Sequence, residues 1–399
     1  MRVIANSHTA RLAIGWLTMF LVGTELFVVS PLLPLIVVDF QSSPALAGLS
    51  VAIFALAYMI SAPLFGRLAD RVGRRQVLIC CLYAFGAANL LTAAATNLPC
   101  LLAARLFAGA VAAGVSPSVY ALVAGIAPRD RRASWLAVVV SGLLVSLSLG
   151  APIGGLVGAS MGWPSVFVML AAASLMLAWL NAQIWPTDHQ GGIIATPIDD
   201  ITIMALAPRL VPMVAWSTAL YGVYTYLGVG LTASGFSAEQ IAEVIVFYGL
   251  GSIGGVLIGG RAADFLGAQL ASRLSLAGFG AGFLLLRFAL DEGVMIDFAF
   301  ALLAAVAQTF FPAQQSGLAN DFPDRRATVL AWNNSALFLG ISLGSLIGGQ
   351  ATSIGGFTAN LTISTVIALC GWALHRMAAS APTRLSPQPS VKPQGGIVS

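Results

Sequence analysis

"DRRASWLAV" runs from Asp130 to Val138 and "DRRATVLAW" from Asp324 to Trp332, the same passage from charged to apolar written twice, 194 positions apart. The offset carries further. "GRLADRVG" (Gly66 to Gly73) meets "GRAADFLG" (Gly260 to Gly267), and "SLGAPIGG" (Ser148 to Gly155) meets "SLGSLIGG" (Ser342 to Gly349), without a gap. Chance likeness between greasy helices gives single weak matches. Two of these blocks are polar and loop-borne, so the chain reads as a duplication.

The copies sit in a strongly apolar background. Of 399 residues, 58% are apolar and 9% charged, whereas a soluble chain carries about 25% charged residues to cover its surface. The apolar residues fall into runs of about twenty, the length that crosses about 30 Å of hydrocarbon. Twelve such runs are expected: 12–34, 45–65, 77–96, 99–124, 133–157, 164–185, 209–231, 240–260, 270–290, 295–318, 327–350 and 356–376. Lipid offers the backbone no hydrogen-bond partners, and the runs are too long and too uniform for barrel strands, so they are helices. The first holds Glu25 and continues to Pro34, which makes it a span rather than a cleavable signal.

Six spans separate each block from its copy, and six is even, so both copies emerge on one membrane face with one polarity. The expected fold is all-α: a polytopic membrane protein of twelve transmembrane helices in two pseudo-symmetric six-helix bundles. Parallel repeats of this kind place a binding site near the midplane and work by rocking. The halves are expected at 1–185 and 209–377. Between them 186–208, rich in Pro, Gly and Asp, reads as a cytoplasmic linker, and 378–399, rich in Pro and Ser, as a disordered tail.

A net charge of +4 would suggest nucleic acid for a soluble protein, but here placement matters more than total. With the N-terminus inside, seventeen of the nineteen Lys and Arg fall in cytoplasmic segments, leaving Arg105 and Arg287. Both termini are therefore expected in the cytoplasm and the chain in the cell's inner membrane, with the lipid bilayer as partner and no nucleic acid. The four cysteines read as small apolar packing residues. No His and Cys cluster has metal spacing and no glycine loop with a Lys cradles a phosphate, so no enzyme, metal, cofactor or ATP-driven pump is expected. Twelve spans enclose a site by themselves, which suits a monomer.

An ionisable side chain at mid-bilayer marks function by default. Glu25 lies near the middle of the first run, and Arg105 lies about two turns into the fourth at a similar depth. Desolvation disfavours a carboxylate's charge and a guanidinium favours it. Hydration that changes as the halves rock would load and release a proton at Glu25, with Arg105 as modulator; a static buried pair is the alternative. Phe27, Tyr221, Tyr224, Gln308 and Asn333 are candidate cavity residues for a small-molecule substrate, with plain core packing as the competing role for each.

"GRLADRVGRR" (Gly66 to Arg75) resembles the signature loop of the major facilitator superfamily. The resemblance implies a conformational latch built from Gly66, Arg67, Asp70, Arg71, Gly73, Arg74 and Arg75, with Arg131 in the repeated block. In it the glycines pack tightly, and Asp70 meets arginines and a helix N-terminus of the other half, a favourable place for a carboxylate. Arg105 and Gly109 match that family's R-x-x-x-G motif. "LGAPIGGLVG" (Leu149 to Gly158) resembles the fifth-helix motif of its antiporters, through Gly150, Pro152, Gly154 and Gly155. "GTELF" (Gly23 to Phe27) is similar to an element of the drug:H⁺ antiporter branch that includes arabinose-efflux-type and sugar-efflux permeases. Independently, glycines at 150, 154 and 158 line one helix face and admit a close neighbour, while Pro152 bends the helix. Together these imply a proton-coupled exporter of a drug-like compound, sugar or metabolite. A proton-coupled uptake symporter and an uncoupled facilitator are the alternatives.

Overall fold

A computed structural model describes residues 8–128, 131–186, 203–292, 295–322 and 325–380. Asp130, Asp324, linker residues 187–202 and tail residues 381–399 lie outside the described residues.

The first six spans are α1 (His8–Phe27, continuing as Val29–Asp39), α2 (Pro44–Val72), α3 (Arg74–Ala93), α4 (Leu98–Ala112, continuing as Val115–Ile126), α5 (Arg132–Val145, a π turn at Ser146–Gly150, then Ala151–Met161) and α6 (Trp163–Ile184). The next are α7 (Ile203–Ala233), α8 (Ala238–Leu266), α9 (Ala268–Glu292) and α10 (Ile296–Gln308, continuing as Phe310–Asp321). The last helical stretch, Arg326–Ser380, breaks at Gly355 and Gly356 into α11 (326–354) and α12 (357–380). By length and composition 10 helices suit a membrane crossing, the broken stretch counting as one of them. Division at the break and the 31-residue α7, whose hydropathy Trp216, Ser217, Thr218 and three tyrosines lower, complete the twelve.

The duplication is written into the backbone. Left-handed φ angles occur at Gln41 and Gly235, at Gly73 and Gly267, and at Gly162 and Gly356, three pairs at the sequence offset. These residues turn the chain between spans, and glycine reaches that conformation without the steric cost a side chain meets. Ser43 and Ser237 likewise cap α2 and α8, each accepting a backbone N–H of the first turn. We call the end of the bundle at the α2–α3, α4–α5 and α8–α9 turns the basic face, since Arg74, Arg75, Arg131 and Arg132 gather there, and the other end the far face.

Each half builds its own apolar core. One cluster is drawn from α1–α6 with Tyr226, Phe338 and Ile341 crossing into it; the other is drawn from α7–α12 with Phe27, Leu147 and Ala151 crossing the opposite way. In the first half α5 lies along α1 through small residues: a methyl group added at Gly150, Gly154, Gly155 or Gly158 would meet Thr24, Val28, Pro31 or Leu32. The π turn directly precedes buried Pro152. A proline cannot donate back along the helix and its ring crowds the preceding turn, and a widened turn relieves both.

Several helices run past the apolar runs expected for them: α2 ends at Val72 rather than 65, α8 at Leu266 rather than 260, α12 reaches Ser380 rather than 376, and α7 begins at Ile203 rather than 209, carrying Pro208 and Pro212 inside it.

Candidate functional site

Glu25 on α1 and Arg105 on α4 are 0% and 1% exposed, and Arg105 Nη1 donates to Glu25 Oε1. The guanidinium is also held between two rings, its carbon 4.6 Å from the centroid of Phe54 on α2 and 5.7 Å from that of Phe167 on α6. Ring faces attract a cation most strongly where water is excluded. Gly109 brings the first ring into place: one turn beyond Arg105, its missing side chain lets α4 settle on the backbone of Phe54. The R-x-x-x-G spacing thus has a local physical reason.

The pair is not fully satisfied. Glu25 Oε2 and Arg105 Nε are buried without a hydrogen-bond partner. Asn89 of α3 lies beside the carboxylate, is 0% exposed, and donates to the Phe85 carbonyl at 3.0 Å. Its Oδ1 has no donor. One carboxylate oxygen and one amide oxygen are thus buried acceptors without a donor, and leaving such atoms unpaired in a dry interior is costly. Nothing in the periodicity of α3 distinguishes Asn89 from a packing residue, and Phe54 and Phe167 look like any other aromatic of an apolar helix. The sequence reading missed all three.

Two residues beyond Glu25, α1 reaches the junction between the halves. Tyr224 Oη of α7 donates to the Phe27 carbonyl at 3.0 Å, Ser30 Oγ donates to the Tyr224 carbonyl, and the Phe27 and Tyr224 rings meet edge to face at 5.8 Å. Tyr221 lies 6.5 Å and Tyr248 5.3 Å from Tyr224, centroid to centroid. On the same side of the midplane, Ser345 of α11 donates to the Gly48 carbonyl of α2 at 2.7 Å. Deeper, the rings of Tyr58 and Phe338 stack at 3.8 Å across the same two helices. Beyond these contacts, toward the far face, a cavity of about 180 Å³ opens between α1, α5, α7 and α8, lined by Pro31, Pro34, Gly155, Thr232, Phe236 and Ile241 among others.

Of the candidate cavity residues, Phe27, Tyr221 and Tyr224 are therefore brought together, and Tyr248 joins them unforeseen. Gln308 is half-buried at the end of the first segment of α10. Asn333 is 0% exposed on α11, with neither amide atom partnered. Neither shares a hydrogen bond or ring contact with the aromatic group among the described residues.

The loop residues divide. Gly66, Arg67, Asp70 and Arg71 are exposed at the basic end of α2, and a methyl group at Gly66 would meet nothing, so the tight packing expected there is not made. Asp70 has no ion pair among the described residues. Gly66, Asp70 and Arg74 instead border a cavity of about 180 Å³ between α2, α3 and α4. Gly73 makes the left-handed turn, with its N–H on the Ala69 carbonyl at 3.0 Å. Arg75 serves its own half: its guanidinium donates to the carbonyls of Trp185, at 2.9 Å, and Ala182, closing the end of α6. Arg131 stands exposed at the start of α5.

The family model described as Major Facilitator Superfamily matches residues 15–232 and 213–397. Among curated relatives, an "Uncharacterized MFS-type transporter YceJ" of Bacillus subtilis is 29% identical over 359 residues, 86% of this chain and 92% of its own. A "Chloramphenicol resistance protein" of Streptomyces lividans is 30% identical over 255 residues, 62% of this chain and 65% of its own. A D-xylose-proton symporter superposes with a TM-score of 0.76 at 15% identity, covering 92% of this chain and 97% of that one. A bacterial homolog of the human lysosomal transporter Spinster follows at 0.72 and 16%, with 93% and 96% covered. Family model and fold agree on a multi-pass membrane transporter, and the chain belongs to the Major Facilitator Superfamily.

Proposed function

We propose that this protein exports a small molecule in exchange for protons by alternating access, with Glu25 as the group that takes up and gives back the proton. The observation that carries the reading is the buried Glu25–Arg105 pair with its unpartnered Glu25 Oε2. A proton placed on that oxygen removes the charge that holds Arg105 and so weakens the pair. Deprotonation restores it. The same stretch of α1 carries Phe27 and Ser30, whose contacts with Tyr224 close the far side, so a shift of α1 on protonation acts directly on that closure.

In this reading the basic face is cytoplasmic, both termini lie in the cytoplasm, and the conformer is shut toward the outside. The halves divide at 1–185 and 209–377 with 186–208 as linker. The exposed loop Gly66–Arg75 is a released latch that engages the other half when the basic face closes. Phe27, Tyr221 and Tyr224, with Tyr248, contact substrate, and Gln308 and Asn333 extend the lining; a single chain is the working unit. Gly150, Pro152, Gly154 and Gly155 keep α5 sealed on α1 while it moves. The chloramphenicol resistance relative supports a drug-like substrate.

The test is a panel of antibiotics and sugars on cells with and without the protein, followed by everted vesicles energised with a proton gradient. An exporter accumulates the active compound. A symporter loses it, a facilitator ignores the gradient, and either result overturns the proposal.

A further inference from the structure

A second polar site lies at the basic end of the other half, between α7, α9, α10 and α12. Its mouth, about 310 Å³ counting space open to solvent, is bordered by Arg209, Gln269, Ser272, Gln314, Asp321 and His375. Arg209 Nη1 meets Asp321 at 2.7 Å, and Gln314 Nε2 donates to the Arg209 carbonyl at 2.7 Å; these groups answer one another. His375 is different. It is 8% exposed, it borders the mouth, and its Nε2 has no partner. Arg273, close enough to act on that imidazole electrostatically, has a buried Nε without a partner and no ion pair among the described residues.

The opening also receives the start of α9. The first hydrogen bond of that helix runs from Ala271 N–H to the Gly267 carbonyl, so the amides of Ala268 to Leu270 precede it, two of them on residues bordering the mouth. A helix N-terminus presents unpaired N–H groups and partial positive charge, which favour an anion. The imidazole at the mouth, the positive charge of Arg273 behind it and the helix amides are together the set that suits a tetrahedral oxyanion.

The other half shows what the place looks like without a ligand. Asn181, 194 positions before His375, donates to Thr18 Oγ1 at 3.1 Å and to the Leu177 carbonyl, and accepts from Trp185 Nε1. Arg11 donates to the Ile184 carbonyl and Arg75 to Trp185 and Ala182. The position matching Arg75 is Gln269. One half thus satisfies its donors with its own carbonyls, and its copy leaves them for something else.

We propose that the basic end of the second half binds a phosphate oxyanion through His375 and the first-turn amides of α9, with Arg273 supplying positive charge behind the imidazole. A free phosphate or the headgroup of an anionic lipid supplies the same chemistry, and basic pockets between helices on this side of a membrane suit such headgroups. The proposal goes beyond the transport reading and does not depend on it, since binding is measured without transport.

The experiment follows thermal unfolding of the full chain in a phosphate-free, uncharged detergent at constant ionic strength. One arm titrates inorganic phosphate and the other short-chain phosphatidylglycerol, with chloride as control. A saturable rise with inorganic phosphate identifies a free-phosphate site, and one with the lipid alone identifies a headgroup site. Arg273→Gln should weaken binding at least about tenfold. Should it not fold, Gln269→Glu, exposed at the mouth, carries the same expectation through charge repulsion. No saturable rise with either ligand, or wild-type affinity in the folded variant, overturns the proposal.

Discussion

Superposing the halves by their 194-residue offset sets Glu25, Asn89 and Arg105 against Ala219, Phe283 and Ala299. In the second half these positions pack into an apolar core, with Ala219 and Phe283 fully buried. Backbone-shaping positions behave in the opposite way: Gly73 and Gly267, Gly162 and Gly356, and the caps Ser43 and Ser237 match in residue and conformation. Duplication therefore supplied one scaffold twice, and among the described residues only the first copy places a buried charge pair in it. Because the matching positions of the second half pack without a charge, the ion pair is not required by the six-helix scaffold itself. Its desolvation cost has to be answered by what it does.

The largest effect should come from making the first half resemble the second in charge while keeping its shape. Glu25→Gln is nearly isosteric and cannot release a proton. Proton-driven accumulation in everted vesicles should fall to background, while exchange of substrate down its own gradient persists. Uphill transport with an unchanged response to the proton gradient would remove Glu25 from the mechanism.

Arg105→Ala separates charge from coupling. It leaves Glu25 buried without its cation, and breaking a buried pair in this way costs about 3–5 kcal/mol. The double variant Glu25→Ala with Arg105→Ala copies the residues of the second half and should recover most of that stability, since both charges are gone. It should not recover coupling. Equal melting of the single and double variants would mean that the pair is not electrostatically linked.

How much of this was readable in advance follows from contrast with the background. Glu25 and Arg105 stood out because a charge in an apolar run is rare and expensive, and the repeat stood out because polar blocks matched without gaps. Asn89, Phe54 and Phe167 were hidden, since their role depends on which face of α3, α2 and α6 turns toward Arg105. Arg75 was hidden for a different reason. A loop motif reports which residues gather at a helix end, whereas the partner, here the end of α6, is set by tertiary packing. The candidates at Gln308 and Asn333 rested on polarity at depth alone, a signal without direction.

A smaller effect tests where the halves should agree. Gly150 faces Thr24 and Gly344 faces Thr218, each pair seating the fifth helix of its half on the first. Gly150→Val drives a side chain into the Thr24 hydroxyl and Gly344→Val into the Thr218 carbonyl and the Gly222 amide, so each should lower stability by about 1–3 kcal/mol. Gly150→Val should in addition slow transport, because the helix it wedges away carries Glu25. Matching stability losses with equal transport rates would show that α1 does not move against α5.

The smallest expected difference lies in the caps. Ser43 and Ser237 both accept a first-turn N–H, but at Ser237 the arrangement is reciprocal: Gln240 Oε1 accepts the Ser237 N–H at 2.9 Å. The matching residue in the first half is Leu46, which offers no such acceptor. Ser→Ala at either cap should cost about 1 kcal/mol, read from thermal unfolding. Gln240→Leu, which copies the first half, then breaks the second arm of the box at Ser237 and should lower stability by a few tenths of a kcal/mol. If Gln240→Leu instead cost as much as Ser237→Ala, the two turns would differ in more than this one acceptor, and the two scaffolds would not be interchangeable even where their backbones coincide.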